Sequence, residues 1–292
     1  MESISNLNTS VSSKKWTEVI RPKTVLFELN LKEVWDYRDL LFLLVRRDFV
    51  ANFKQTILGP LWFFIQPLLT TITFMVIFGR IANIGTGSIP PLIFYLSGIT
   101  LWTYFADCLT KTSTVFRDNA GIFGKVYFPR LIMPLSIVSS SLLKFAVQIF
   151  LLFCIWIYYF LQPNSIIQPN WILLLLPLLV VIMAMLGLGT GIIISSWTNK
   201  YRDLAMLISF AVQLLMYATP VIYPLSSIPR NYQRLIGLNP MTHIIEAFRY
   251  GLTGEGVLSW SGLAYDVVFT LIVLFLGVII FNKIEKSFMD TV

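Results

Sequence analysis

The sequence predicts an all-α integral membrane protein with six transmembrane helices, an amino-terminal amphipathic helix at the membrane interface and short re-entrant helices before the last span. Three observations predict it. Hydrophobic residues make up 56% of the 292 and charged residues only 13%, against about 45–50% and about 25% in soluble domains. The apolar residues fall in blocks long enough to cross a bilayer, which takes about 20 helical residues. The basic residues gather between alternate blocks, as the positive-inside rule requires of a multi-span chain.

Residues 1–36 are polar, with no apolar core in the first thirty, which argues against a cleavable signal peptide and leaves a cytoplasmic amino-terminal segment. Residues 37–57 form the interface helix. At 100° per residue Phe42, Val45, Phe49, Val50 and Phe53 share one side, and Arg47, Asp48, Asn52, Lys54 and Gln55 the other. Leu40, Leu44 and Arg46 break the pattern, so a helix lying in the interface and a cytoplasmic helix packed on protein both remain open. Gly59 and Pro60 would hinge this helix to the first span.

Residues 58–292 then form the membrane domain, with spans at about 61–82, 91–113, 131–160, 171–196, 204–223 and 263–282. The third block is longer than an upright helix needs, and Pro134 and Lys144 place its first turns at the interface. With the amino terminus in the cytoplasm, 17 of the 22 Lys and Arg residues lie on that side; the opposite orientation reverses the positive-inside bias. Both termini are therefore expected in the cytoplasm.

Between the last two blocks, residues 224–262 form the longest external connection. Met241, Ile244, Ile245 and Phe248 recur there at helical spacing beside His243, Glu246 and Arg249. About eleven residues are too few to span, so this helix lies on the membrane or re-enters it against protein. Pro220, Pro224, Pro229 and Pro240 break the chain before it, and the expectation is two short hairpinned helices joined near Gly237.

The chain carries little chemistry of its own. A phosphate-binding loop needs GxxxxGK[ST]; NAGIFGKV at 119–126 lacks the first Gly and the last hydroxyl. GLGTG at 187–191 lies inside a span and reads as close helix packing rather than a dinucleotide loop. Cys108 and Cys154 sit in apolar blocks without metal-ligand company and read as core. The single histidine, His243, reads as a helix-surface residue. No cofactor or metal is expected on this chain, and the net charge of +7 forms no continuous stripe of the kind nucleic acid requires. Two ionisable residues stand at mid-membrane, Asp107 and Lys144; Asp107 can be neutralised by Lys111 or Lys144, which suits a structural ion pair better than a proton site.

Aromatic residues reach 15%. Trp62, Phe63, Phe74, Tyr95, Trp102 and Tyr104 fit an interfacial belt or a core first, with an aromatic lining on which sugar rings stack in a conduit for a glycan as the alternative.

The stretches LGPLWFFIQP at 58–67, KVYFPRLIMPLS at 125–136, KYRDL at 200–204, ATPVIYP at 218–224 and NPMTHIIEAFRYGL at 239–252 together resemble the ABC-type polysaccharide export permease family, over roughly residues 37–290. The segment Tyr127-Phe128-Pro129-Arg130 most resembles the O-antigen exporters within it. The resemblance implies a homodimer in the cell inner membrane resting on two copies of a cytoplasmic ATPase subunit, which binds the ATP and Mg, with a channel for an undecaprenyl-diphosphate-linked glycan. Export of capsular polysaccharide or teichoic acid is the alternative inside the family; an ion-coupled transporter or a membrane sugar-phosphate transferase is the alternative outside it.

By the same resemblance, residues 117–130 are the coupling segment that docks on the ATPase. Arg117, Asp118, Lys125, Tyr127, Phe128, Pro129 and Arg130 are the expected contacts, with Lys200, Arg202 and Asp203 in a second loop. Arg46, Arg47 and Lys54 would meet the lipid diphosphate, because phosphate oxygens pair strongly with guanidinium and ammonium groups. Attraction to anionic headgroups explains the same three charges.

Overall fold

Lipid offers no partners for backbone N–H and C=O groups, so a chain this apolar satisfies them within helices, and every regular element among the described residues is helical. The computed structural model describes residues 31–51, 53–54, 56–123, 128–163, 165–198, 200–201 and 203–289, those at 31, 123 and 283–289 without their side chains. The segment 1–30, and Asn52 and Gln55 of the interface stretch, lie outside the described residues.

Five helices are long and apolar enough to cross a bilayer: Gly59–Ile81, Pro91–Ser113, Ile132–Phe160, Trp171–Thr198 and Trp260–Asn282. The sixth expected span, 204–223, is helical only over Leu204–Tyr217, 14 residues or about 21 Å, short of the roughly 30 Å hydrocarbon core. The reason is local. Thr219 precedes Pro220, and a residue before proline is pushed out of the helical region; the chain turns instead, with Val221 and Ile222 buried.

In chain order the helices are α1 (Leu31–Asp36), α2 (Arg38–Ala51), α3 (Trp62–Phe74, widening into π-helical turns over Met75–Ile81), α4 (Pro91–Ser113), α5 (Val115–Asp118), α6 (Ala120–Phe123), α7 (Ile132–Phe160), α8 (Leu176–Thr198), α9 (Leu204–Tyr217), α10 (Arg230–Gly237), α11 (Pro240–Thr253) and α12 (Trp260–Met289). Helix α4 is the axis of the bundle: α3, α7, α8, α9 and α11 all pack on it. Burial follows, and Phe94, Tyr95, Leu96, Leu101, Trp102, Tyr104 and Phe105 are all enclosed.

Glycine sets the distance between the helices. A Cβ on Gly187 would lie 2.6 Å from the Cβ of Cys108, one on Gly191 2.6 Å from the Cβ of Thr112, and one on Gly189 3.0 Å from the Leu274 backbone, while Gly277 faces the Gly189 carbonyl at 3.0 Å. GLGTG is thus a packing seam along both faces of α8, toward α4 and toward α12.

Helix α2 is held by the residues that break its amphipathic pattern. Leu44 is buried against α7, and Tyr37, Leu40 and Leu41 pack beside it. The opposite side keeps apolar surface: Phe42 is 68% exposed, Val50 is also exposed, and Phe49 and Phe53 close on Phe63 with ring centroids 5.9 and 4.7 Å away. The helix therefore packs on protein with one apolar face and presents a second one outward.

The short helices before the last span are α10 and α11, joined by Leu238 and Asn239, whose side chain accepts from the Met241 N–H as an N-cap. The expected polar face of α11 is not open. Glu246 and Arg249 are buried with the apolar residues around them. Cys154 departs in the other direction: Cys108 is buried and Cys154 is exposed on α7.

Gly187→Ala places a methyl group on a backbone-mounted neighbour that cannot step aside. It should cost about 1–3 kcal/mol and lower the melting temperature of the protein in detergent, whereas Gly121→Ala, where nothing lies within 4 Å, should leave it unchanged.

Candidate functional site

The basic end of the molecule is built on a second hydrophobic cluster. Leu44 of α2, Val115 and Phe116 of α5, Phe128, Ile132 and Met133 at the start of α7, Leu188 and Ile192 of α8, and Phe281 of α12 form one buried group, with Phe116 and Phe281 rings 5.7 Å apart. Phe128 and Pro129 turn inward and are buried. They root the expected coupling segment in the bundle rather than offering side chains to a partner. Arg117 and Asp118 remain open, paired to each other at 3.0 Å, and Arg130 is half-buried. Lys125 and Tyr127 lie outside the described residues.

On the second loop, Lys200 lies 5.3 Å over the ring of exposed Tyr201, and Asp203 is exposed ahead of α9. Arg202 lies outside the described residues. Buried Thr198 donates to the Ser113 carbonyl, tying the end of α8 to the end of α4 just before both loops begin. The two loops therefore share one foundation.

Of the three cations expected near a lipid diphosphate, Arg46 and Lys54 are exposed, and Arg47 is engaged by its neighbour Asp48 at 2.8 Å. Arg46 sits amid the outward apolar side of α2, where its stem can lie along Phe42 and Val50 while the guanidinium reaches water.

Inside the span region, Lys144 of α7 donates to Asp107 of α4 at 2.9 Å, each about one-fifth exposed. Of the two cations within reach in sequence, the structure selects Lys144. The pair joins the two helices.

The expected aromatic lining divides. Phe63, Tyr95, Trp102 and Tyr104 are buried in the core of the subunit, three of them because they lie on the sides of α4 that its neighbours cover. They line no open path. Trp62 is 46% exposed, and Phe74 is half-buried edge-on to Phe78 at 5.4 Å. Beside Trp62 on the open side of α3 stand Gln66 and Thr73, with Ser209, Gln213 and Tyr217 open along α9. The Thr73 and Ser209 hydroxyls bond back to their own helices, whereas the Gln66 and Gln213 amides make no hydrogen bond among the described residues. Hydrocarbon is a poor solvent for such groups.

At the opposite end, the structure reveals a polar centre that sequence reasoning left on a helix surface. Arg249 is 2% exposed; it donates to the carbonyls of Pro220, of Val221 at 2.8 Å and of Phe94 at 3.2 Å, approaches Glu246 at 3.5 Å, and lies 3.7 Å from the Phe94 ring centroid. The Glu246 carboxylate also accepts from the Val257 N–H at 3.1 Å. His243 is likewise no surface residue. Its Nδ1 lies 2.9 Å from the carboxylate of Asp266, which is fully buried on α12, and Gly262 leaves room for its ring. Asp266 was legible, as an ionisable residue inside the last apolar block. Arg249 was not, because its partners are carbonyls exposed by a turn at Pro220.

Residues 39–253 match the ABC-2 type transporter family. The chain belongs to that family. Among similar proteins are an O-antigen export system permease protein RfbA of Klebsiella pneumoniae, 28% identical over 252 residues covering 86% of this chain and 94% of the relative, and one of Myxococcus xanthus, 28% identical over 221 residues, 75% and 82%. The polysialic acid transport protein KpsM of Escherichia coli is 25% identical over 253 residues, 84% and 93%. As an ABC-2 type transporter this multi-pass protein is a transport component, and its matched region runs from α2 to the end of α11.

The Lys144–Asp107 pair gives the first test of this region. Asp107→Asn or Lys144→Met alone strands one charge and should destabilise the protein by about 1–3 kcal/mol, while the double variant should recover most of the loss. Detergent melting of all four proteins measures the cycle.

Proposed function

We propose that this chain is the membrane-spanning permease subunit of an ABC exporter that moves a lipid-linked, undecaprenyl-diphosphate-type O-antigen polysaccharide across the inner membrane, powered by a separate ATPase. It works as a homodimer on two ATPase copies, with ATP and Mg on those partners and both termini in the cytoplasm, α9 together with the turn after it making the sixth crossing. The observation that carries this reading is the second hydrophobic cluster. It fixes the open pair Arg117 and Asp118, through Phe116 and Phe128, to α2, α7, α8 and α12 at once, so a push on that loop displaces the bundle rather than the loop alone.

Two further observations support it. The RfbA relatives are named as O-antigen export permeases and align over most of their length. The outward sides of α3 and α9 are largely apolar, with Leu69, Ile72, Met206 and Phe210 exposed, and the exposed Gln66 and Gln213 set among them suit contact with a second subunit or a glycan better than contact with lipid. Similarity to KpsM over the same span favours a second reading, export of a capsular polysaccharide, by the same machinery.

Export should stop when every candidate ATPase gene is deleted and resume with one of them; export that continues unchanged would reject the scheme. With the ATPase present, Arg117→Ala combined with Asp118→Ala should lower ATP-driven export about 5- to 150-fold, the span of a coupling free energy of about 1–3 kcal/mol, at unchanged melting temperature. A cysteine placed at Gly121 should react with an impermeant reagent from the cytoplasmic side alone.

A further inference from the structure

At the end opposite the basic surface lies a cavity of about 340 Å³, walled by residues of the segments 86–89, 224–226 and 254–257 together with Phe94, Glu246 and Arg249. Its size falls in the roughly 300–1,000 Å³ range of small-molecule sites. Charge in the wall is unbalanced. Arg249 spends both terminal nitrogens on the three carbonyls and Glu246, which leaves only its Nε, buried and without a hydrogen-bond partner. Its positive charge is matched by Glu246. The second carboxylate, Glu255, accepts from the Ser88 N–H at 3.1 Å and has no cation within ion-pair distance among the described residues.

Glycines line the wall beside these carboxylates, of which Glu255 is the one partly exposed and Glu246 is buried. Gly87, Gly254 and Gly256 hold φ of +69°, +78° and +138°, where other residues are strained. A Cβ on Gly87 would come within 3.4 Å of the Glu255 Oε2, and one on Gly256 within 3.4 Å of the Glu246 Oε2. Pro224 and the exposed Val257 add apolar surface to the wall, while Phe94, its ring covered by Arg249, and Ile89 are buried in it. The Glu255 carboxylate oxygens can accept from hydroxyl and ammonium groups, and apolar surface in the same wall suits the C–H face of a sugar ring.

We propose that this cavity is a sugar subsite that holds a neutral or amino-bearing residue of the exported glycan and disfavours a residue carrying a carboxylate. The assignment rests on the transport reading above. Saturation-transfer NMR on the purified permease–ATPase complex would use methyl glucosaminide, methyl glucoside and methyl glucuronide as probes. The first two should receive saturation, and the glucuronide should bind about fivefold more weakly than the glucoside, the effect of one like charge at about 4 Å in water. Ser226→Trp, a change at an exposed wall position, should abolish transfer, and Glu255→Gln should remove the advantage of the amine over the neutral sugar while leaving the melting temperature unchanged.

Transfer equal in the native protein and in Ser226→Trp, a preference for the glucuronide, or no transfer to any probe would overturn the subsite. Glycan export by the same Ser226→Trp complex should fall along with probe binding, and full export without binding would also overturn it. Export independent of the ATPase would instead remove the transport reading and leave the binding result to stand alone.

Discussion

The bundle depends on how closely α8 approaches α4 on one side and α12 on the other. Helices in lipid gain little from burying apolar surface, since the solvent is itself apolar, so they associate through close packing and what polar contacts they can make. Gly187 and Gly191 bring α8 to the side chains of Cys108 and Thr112, and Gly189 brings it to the backbone at Leu274. Because α3, α7, α8, α9 and α11 all pack on α4, most of what it carries becomes core, while Thr103, Asp107 and Thr110 stay partly open. This one constraint turns Tyr95, Trp102 and Tyr104 from potential lining into structure.

A second constraint operates where the chain stops being helical. The turn after α9 leaves the Pro220 and Val221 carbonyls without helical partners in a buried setting, and an unpaired buried group costs about 1–3 kcal/mol. Arg249 answers both and adds the Phe94 carbonyl from α4. A planar guanidinium can serve several acceptors at fixed angles, which an ammonium on a flexible stem cannot. The short α11 is thereby fastened to both α4 and the break in the chain, and the His243–Asp266 contact fastens it to α12.

Much of this was legible in the sequence, for identifiable reasons. Long apolar blocks and basic loops report the solvent directly, so the long helices fall where hydropathy places them, and the proline-broken hairpin before the last span emerges from turn chemistry alone. What escaped was whatever depends on a neighbour far along the chain. Leu40 and Leu44 look like errors in an amphipathic pattern until α7 is seen behind them. Arg249 and Glu246 look like a wet face until the turn at Pro220 closes over them. Trp62 and Tyr95 look equivalent as aromatics, and only the enclosure of α4 separates the exposed from the buried. The length of the apolar stretch from Leu204 misled for a different reason, since composition records hydrophobicity but not the point at which Pro220 ends the helix.

Unequal fastening has a mechanical consequence. The basic end is locked by the cluster of Leu44, Phe116, Phe128 and Phe281, and the opposite end by Arg249, so α4, α7, α8, α11 and α12 form a stiff frame. Helix α9 packs on this frame at α4 but is held less firmly: Val212 is its one buried residue, and it begins at the exposed Lys200–Asp203 loop. Displacing a helix with so little buried surface costs far less than deforming the frame. Force delivered at the basic end would therefore be passed on through the frame, and the change in shape would concentrate along α9, whose outward side sets Ser209 and Gln213 among the exposed Met206, Leu207, Phe210 and Leu214.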